Sequence, residues 1–229
     1  VDKQGMIRGR LITLEGGEGA GKSTQAVLLA DALAEAGLPV LRTREPGGSP
    51  GAERLRSLLL DGAAAWSPQA EALLHFAARA EHVATCLRPV LEAGMWVVCD
   101  RYFDSTMAYQ GHAQGAGAGT VMTLRRLLDL EPDLTLVLDL PLAEAMTRLA
   151  GRGRPADRYE RMGEGFLARA HQAFLDIAEA EPRRCAVVSA EGGVQTVAAR
   201  VREAVWTRLQ PLASAGGLPP PASDALIPT

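Results

Sequence analysis

Gly16-Gly17-Glu18-Gly19-Ala20-Gly21-Lys22-Ser23 carries the spacing G-x-x-x-x-G-K-[ST], a phosphate-binding pattern. Its glycines allow a sharp turn with inward-facing N–H groups. Together with the N-terminus of the following helix, those groups cradle anionic oxygens. Lys22 adds a compact charge suited to β- and γ-phosphates, Ser23 offers a hydroxyl to Mg²⁺, and Thr24 follows at the helix start. Glycine-rich turns ending in Lys-Ser also occur in proteins that bind nothing there. Here the flanks argue against that: Leu11 to Glu15 suits a buried strand, and Leu28, Leu29, Ala32 and Leu33 recur at helical spacing. The chain has only two lysines, Lys3 and Lys22, and one of them stands where a point charge serves better than a planar fork.

A second candidate is Asp100-Arg101-Tyr102, which closes the apolar run Met95 to Cys99. An acid ending a hydrophobic strand can reach a Mg²⁺ shell, or an acceptor phosphate through water, and Arg101 would project into the same cleft. Alone the pair reads more readily as ordinary charge where a strand meets a loop; the phosphate loop in the same chain favours function.

These groups need a frame. Apolar runs at residues 11–15, 39–43, 95–99, 134–140 and 185–189 alternate with helical patterns at 24–36, 52–60, 68–93, 120–130, 142–150, 159–180 and 194–209. Pro89 is expected to break or kink the 68–93 stretch. The alternation predicts an α/β fold, a five-stranded parallel sheet with helices on both faces and the active site at the strands' carboxyl ends. With 229 residues, one domain over 1–210 is expected, and the Pro-, Ala-, Ser- and Gly-rich 211–229 is expected to be a disordered tail. The formal net charge of −3 gives no footprint for nucleic acid. Cys86, Cys99 and Cys185 match no metal spacing, and no apolar stretch approaches a membrane span, so a cytoplasmic protein with reduced thiols is expected.

Several segments together resemble the thymidylate kinase family, over roughly residues 8 to 210. They are residues 15–24, Thr-Arg-Glu-Pro-Gly-Gly at 43–48, Leu-Arg-Ser-Leu-Leu-Leu at 55–60, Phe-Ala-Ala-Arg at 76–79, Asp-Arg-Tyr at 100–102 with Ser-Thr-Met-Ala-Tyr-Gln-Gly at 105–111, Pro-Asp-Leu-Thr-Leu-Val-Leu-Asp at 132–139, Arg148, and Asp-Arg-Tyr-Glu at 157–160. The resemblance implies a homodimeric P-loop NTPase fold with a mobile lid at about 148–160, which phosphorylates dTMP to dTDP with ATP and Mg²⁺. It implies that Arg79 and Arg101 hold the acceptor's 5′-phosphate, with Glu45 near its sugar and phosphate. Ser105 joins the acceptor site, Thr106 and Gln110 face the thymine edge, and Tyr109 sits close to the deoxyribose. The lesser reading of Thr106 and Tyr109 is packing at a helix start. Four residues before Arg79 the family usually has an aromatic that stacks on thymine. Here His75 stands there, with Phe76 beside it, and either would take the role. His82, His112 and His171 read as structural or surface residues.

This phosphate loop has no arginine, whereas Arg148, Arg152, Arg154 and Arg158 fall within eleven residues interleaved with Gly151 and Gly153. A basic run is ordinarily a solvated loop. The resemblance points instead to Arg152 or Arg154 reaching the γ-phosphate on lid closure, with Arg148 and Arg158 near the adenine or donor phosphates. Another P-loop kinase, acting on a different nucleoside monophosphate, is the alternative. A GTPase-type switch would read guanine with Asn-Lys-x-Asp, and the chain contains no asparagine.

Overall fold

The computed structural model describes residues 8–61, 65–151, 153 and 158–210. Arg152, Arg154, Asp157 and the tail 211–229 lie outside them. The sheet has five parallel strands, β1 (Leu11–Glu15), β2 (Val40–Arg44), β3 (Trp96–Asp100), β4 (Leu134–Asp139) and β5 (Cys185–Ser189), in the order β2-β3-β1-β4-β5. The chain leaves β1 to one side for β2 and β3 and to the other for β4 and β5, so the crevice at the carboxyl end of β1 is where a ligand binds in such sheets. Register levels the strand ends there: Asp100 pairs with Leu14 on β1 and with Arg44 on β2.

Side chains alternate across β1. Ile12 and Leu14 face a core closed by α1 (Lys22–Glu35) and the last helix, α9 (Val194–Leu209). Leu11, Thr13 and Glu15 face the other layer. Two of these are polar and fully buried, with Thr13 bonded to Thr135 at 2.8 Å across to β4. Glu15 accepts from the backbone N–H of Tyr102 (2.7 Å) and from the Ser105 hydroxyl (2.6 Å), which ties the start of α5 (Phe103–Thr106) to the sheet. Burial, and then Asp104, push its carboxyl up to about 8.

Helix α2 (Pro50–Leu60) and α3 (Pro68–His82) each begin on a proline, where the missing N–H costs nothing. Pro89 does not end the long helix. A π-helical turn at Val83–Leu87 precedes it, and the helix runs on as α4 (Arg88–Glu92). The wider turn shifts the hydrogen-bond register, so the residue lacking an N–H is accommodated. Residues 103–113, not assigned from periodicity, form α5 and a second π turn, Met107–Ala113. Then come α6 (Ala118–Leu128), α7 (Leu142–Ala150) and α8 (Glu164–Ala180). Gly163, at φ 87°, separates α8 from a short 3₁₀ turn at Glu160–Met162, dividing the helix expected over 159–180.

Candidate active site

At the carboxyl ends of β1, β2 and β3 lies a cleft of about 470 Å³. One wall is the phosphate loop. Gly16 has φ 129°, and a Cβ there would stand 2.4 Å from the Leu138 carbonyl oxygen, so only glycine lets the loop pass β4. Gly17, Gly19 and Ala20 carry the loop to Gly21, which precedes α1. Lys22 folds back along the turn and donates to the carbonyls of Gly16 (3.1 Å) and Gly17 (2.7 Å). Burial, with the Arg101 charge next, pushes its ammonium down to about 8. The Ser23 hydroxyl donates to Asp100 Oδ2, and Asp100 Oδ1 is buried without a partner. The end of β3 and the first turn of α1 have thus brought together the two residues expected to serve Mg²⁺. Thr24 also lines the cleft.

Arg101 takes a left-handed backbone, φ 70°, which costs an arginine roughly 1–3 kcal/mol. The turn is held by its N–H on the Leu14 carbonyl (3.0 Å) and carries the side chain toward the loop. There it donates to Glu18 (2.5 Å) and Ser105 (3.0 Å) and lies over the Tyr109 ring at 5.2 Å. Glu18 also accepts from the Tyr109 hydroxyl at 3.0 Å. Although part of the phosphate loop, Glu18 reaches toward the groups expected around the acceptor.

The facing wall is a chain of side chains. His82 bonds to Thr43 Oγ1 through Nε2 and to Glu45 Oε1 through Nδ1, each at 3.0 Å. Glu45 Oε2 accepts from Arg79 Nε at 2.6 Å, and another Arg79 nitrogen donates to Thr106 at 3.1 Å. Arg79 Nη1 remains buried and unpartnered. Gly48 passes over the first link: at φ 84°, a Cβ there would stand 2.4 Å from His82 Nε2. His82 is not a surface residue. Burial opposes its charge, but hydrogen bonds to Cys86 and Glu45, and the Glu45 charge, outweigh it and raise its pKa to about 9. Of the other histidines read as structural or surface, His112 is exposed and His171 bonds Asp139 at 2.7 Å.

Phe76 and His75 separate. Phe76 joins the core and lies under the Arg79 guanidinium at 4.6 Å, whereas His75 lines the cleft. Burial, then the charges of Arg79, Arg101, Arg158 and Arg56, push His75 down to about 3. An acidic chain has therefore gathered a cationic cleft, suited to anions.

Arg158 is corrected by the structure. It bonds to Glu71 on α3 (2.5 Å) and to the Leu59 carbonyl (3.3 Å), away from the phosphate loop. Arg148 pairs with Glu144 (2.6 Å) on α7 and donates to the Ala190 carbonyl (2.9 Å). Glu71, fully buried and not foreseen, also accepts from Gln110 (2.8 Å) and the Tyr159 hydroxyl (2.9 Å). That hydroxyl has one proton, so His75, 2.9 Å away through Nε2, is the donor to it. Arg56 also lines the cleft unforeseen. A signal for Glu71 and His82 existed: 71, 75, 79 and 82 fall at helical spacing on one face of α3.

Comparison with known proteins agrees with this geometry. A family model described as thymidylate kinase matches residues 14–201. The chain is 53% identical over 201 residues to the thymidylate kinase of Rhizorhabdus wittichii, covering 86% of this chain and 97% of that one. It is 52% identical over 206 residues to that of Gluconobacter oxydans, covering 88% and 96%. The crystal structure of thymidylate kinase from Ehrlichia chaffeensis matches with a TM-score of 0.72 at 32% identity, over 86% of this chain and 99% of that one.

Proposed function

The chain belongs to the thymidylate kinase family, and we propose that its cleft transfers the γ-phosphate of ATP to dTMP, giving dTDP and ADP. The observation carrying this reading is that the phosphate loop, the Ser23–Asp100 contact and the Arg79–Glu45 pair open into one cavity. Its volume suits small-molecule ligands.

The acceptor is already a phosphate dianion, so the reaction needs alignment and charge neutralisation more than a strong base. The loop N–H groups and Lys22 hold the donor phosphates. Arg101 and Arg79 take the acceptor phosphate, for which the planar guanidinium is suited, and Arg79 Nη1 is unpartnered for that purpose. Glu45 lies beside them. Tyr109 approaches the deoxyribose, Thr106 and Gln110 face the thymine edge, and His75 occupies the place of the stacking ring. Ser23 and Asp100 would hold Mg²⁺, directly or through water; the orphaned Asp100 Oδ1 supports this assignment. When bound, the ion would neutralise donor phosphate charge. Arg152 and Arg154, outside the described residues, belong to the lid at about 148–160 that closes over ATP and excludes water.

The same reading makes residues 1–210 one kinase domain and the protein a cytoplasmic homodimer. Leu73 on α3 and Leu127 on α6, 54% and 75% exposed on helices in contact, support the dimer. Three free thiols support a reducing compartment. Among the described residues, no helix is long and apolar enough to cross a membrane. The test is ADP release from ATP·Mg²⁺ with each nucleoside monophosphate in turn. dTMP should give the fastest turnover; preference for another monophosphate, or none, overturns the reading.

A further inference from the structure

Glu71 lies at the base of the acceptor wall, and its carboxylate collects donors from two segments, residues 158–159 and 110–114. Arg158 supplies a guanidinium at 2.5 Å, Tyr159 a hydroxyl at 2.9 Å and Gln110 its Nε2 at 2.8 Å. Gln114 adds a second amide Nε2 at 3.2 Å. A carboxylate paired with a guanidinium accepts hydrogen bonds and has none to give. Both amides must therefore turn their NH₂ ends toward it. Gln114 does so even though its carbonyl oxygen is left buried without a partner. Gln110 differs in that it lines the cleft. Its Nε2 is committed to Glu71 and, at 3.3 Å, to the Tyr159 hydroxyl, so the carbonyl is the end left for a ligand.

We infer that Glu71 is a positioning residue for base choice: it holds the Gln110 amide with its carbonyl toward the acceptor, selecting a pyrimidine that donates at N3 over one that accepts there. Thymine and uracil carry N3–H; cytosine presents a bare N3. The inference rests on the reading of Gln110 as facing the base. It adds the reason why the amide faces one way, since an amide free to turn would meet either edge. Arg158, at the foot of the lid, takes part by occupying the other carboxylate oxygen, Oε2, which leaves Oε1 to the amides and the Tyr159 hydroxyl.

The experiment compares kcat/KM for dUMP and dCMP, which both lack the thymine methyl, with dTMP turnover by the unaltered enzyme in the same assay. Absence of dTMP turnover would sink the reading of the site; with it present, the variants address Glu71 alone. Glu71→Gln can donate as well as accept and so releases the amide. It should lower the dUMP-over-dCMP preference about tenfold or more. An equal loss on both acceptors means a merely structural role and overturns the inference. Gln110→Ala should lose the same preference, and Glu71→Gln added to it should change the ratio no further; an additional fall overturns the proposal. A crystal structure of the unaltered protein with dTMP supplies a check independent of any variant's folding. Gln110 should lie between Glu71 and N3 with hydrogen bonds to both, and an amide turned from the base overturns the assignment.

Discussion

The two halves of the cleft are built differently. The donor half comes mainly from one unbroken segment, Gly16 to Thr24, whose ligating groups are backbone N–H groups, one ammonium and one hydroxyl, joined among the described residues by Asp100 from the end of β3. The acceptor half draws on β2, α3, α5 and its π turn, and Tyr159. Its spine is one face of α3, where Glu71, His75, Arg79 and His82 are all buried. In the first half geometry is local, so a substitution should change chemistry with little effect on folding. In the second, each polar group is held by another buried polar group, so substitution should affect binding and stability together.

Lys22→Ala should break the donor half most sharply. Loss of a buried neutralising charge should lower kcat on the order of 10²–10⁴-fold, with the unfolding midpoint unchanged. Near-normal turnover by the folded variant would remove Lys22 from the mechanism.

Glu45→Ala is the counterpart. It strands Arg79, 3% exposed, and His82, 0% exposed. Breaking a buried pair typically costs about 3–5 kcal/mol, to be read by denaturant unfolding, and the KM for dTMP should rise in step. A variant with altered KM but unaltered stability would show that the acceptor half is as local as the donor half.

The double change Arg152→Ala and Arg154→Ala tests charge delivered from the lid. It should lower kcat roughly 10²-fold, within the range of arginine fingers, with little change in KM for dTMP. Arg200→Ala, on α9 where the side chain bonds the Ser189 and Glu191 carbonyls, is the control outside the cleft. Wild-type kcat in the double variant would show that these arginines are solvated bystanders.

The smallest effect concerns pH. His82 has a folded pKa of about 9, above the ordinary 6.5, so the folded state binds the extra proton between those values. The stability it contributes is complete below pH 6.5 and is lost as pH rises through 9. Between pH 7 and pH 9 the loss should be about 2 kcal/mol. Comparing chemical denaturation of His82→Gln with the unaltered protein isolates it; an unchanged slope would show that His82 holds no charge in the fold.

The sequence alone determined the α/β alternation, the five strands, the phosphate loop and the pairing of an acid at the end of β3 with that loop. These depend on short-range features: apolar runs, helical spacing, and a glycine pattern whose function is to let backbone N–H groups converge. Periodicity missed residues 103–113 because a π turn widens the repeat on which a 3.6-residue count relies. The break or kink expected at Pro89 takes the form of a π turn just before it, after which the helix runs on. Only the tertiary structure put Phe76 in the core and His75 on the cleft, drew Arg158 to Glu71, and made His82 a buried cation. A helical face can be counted from spacing, but whether its polar residues meet water or one another depends on what packs against it. For the polar face of α3 the partners are Thr43, Glu45, Thr106, Gln110 and Tyr159, the last brought to His75 from 84 positions away. Burial strengthens the resulting hydrogen bonds and fixes which end of an amide or imidazole faces the ligand, and neither is written in residue order.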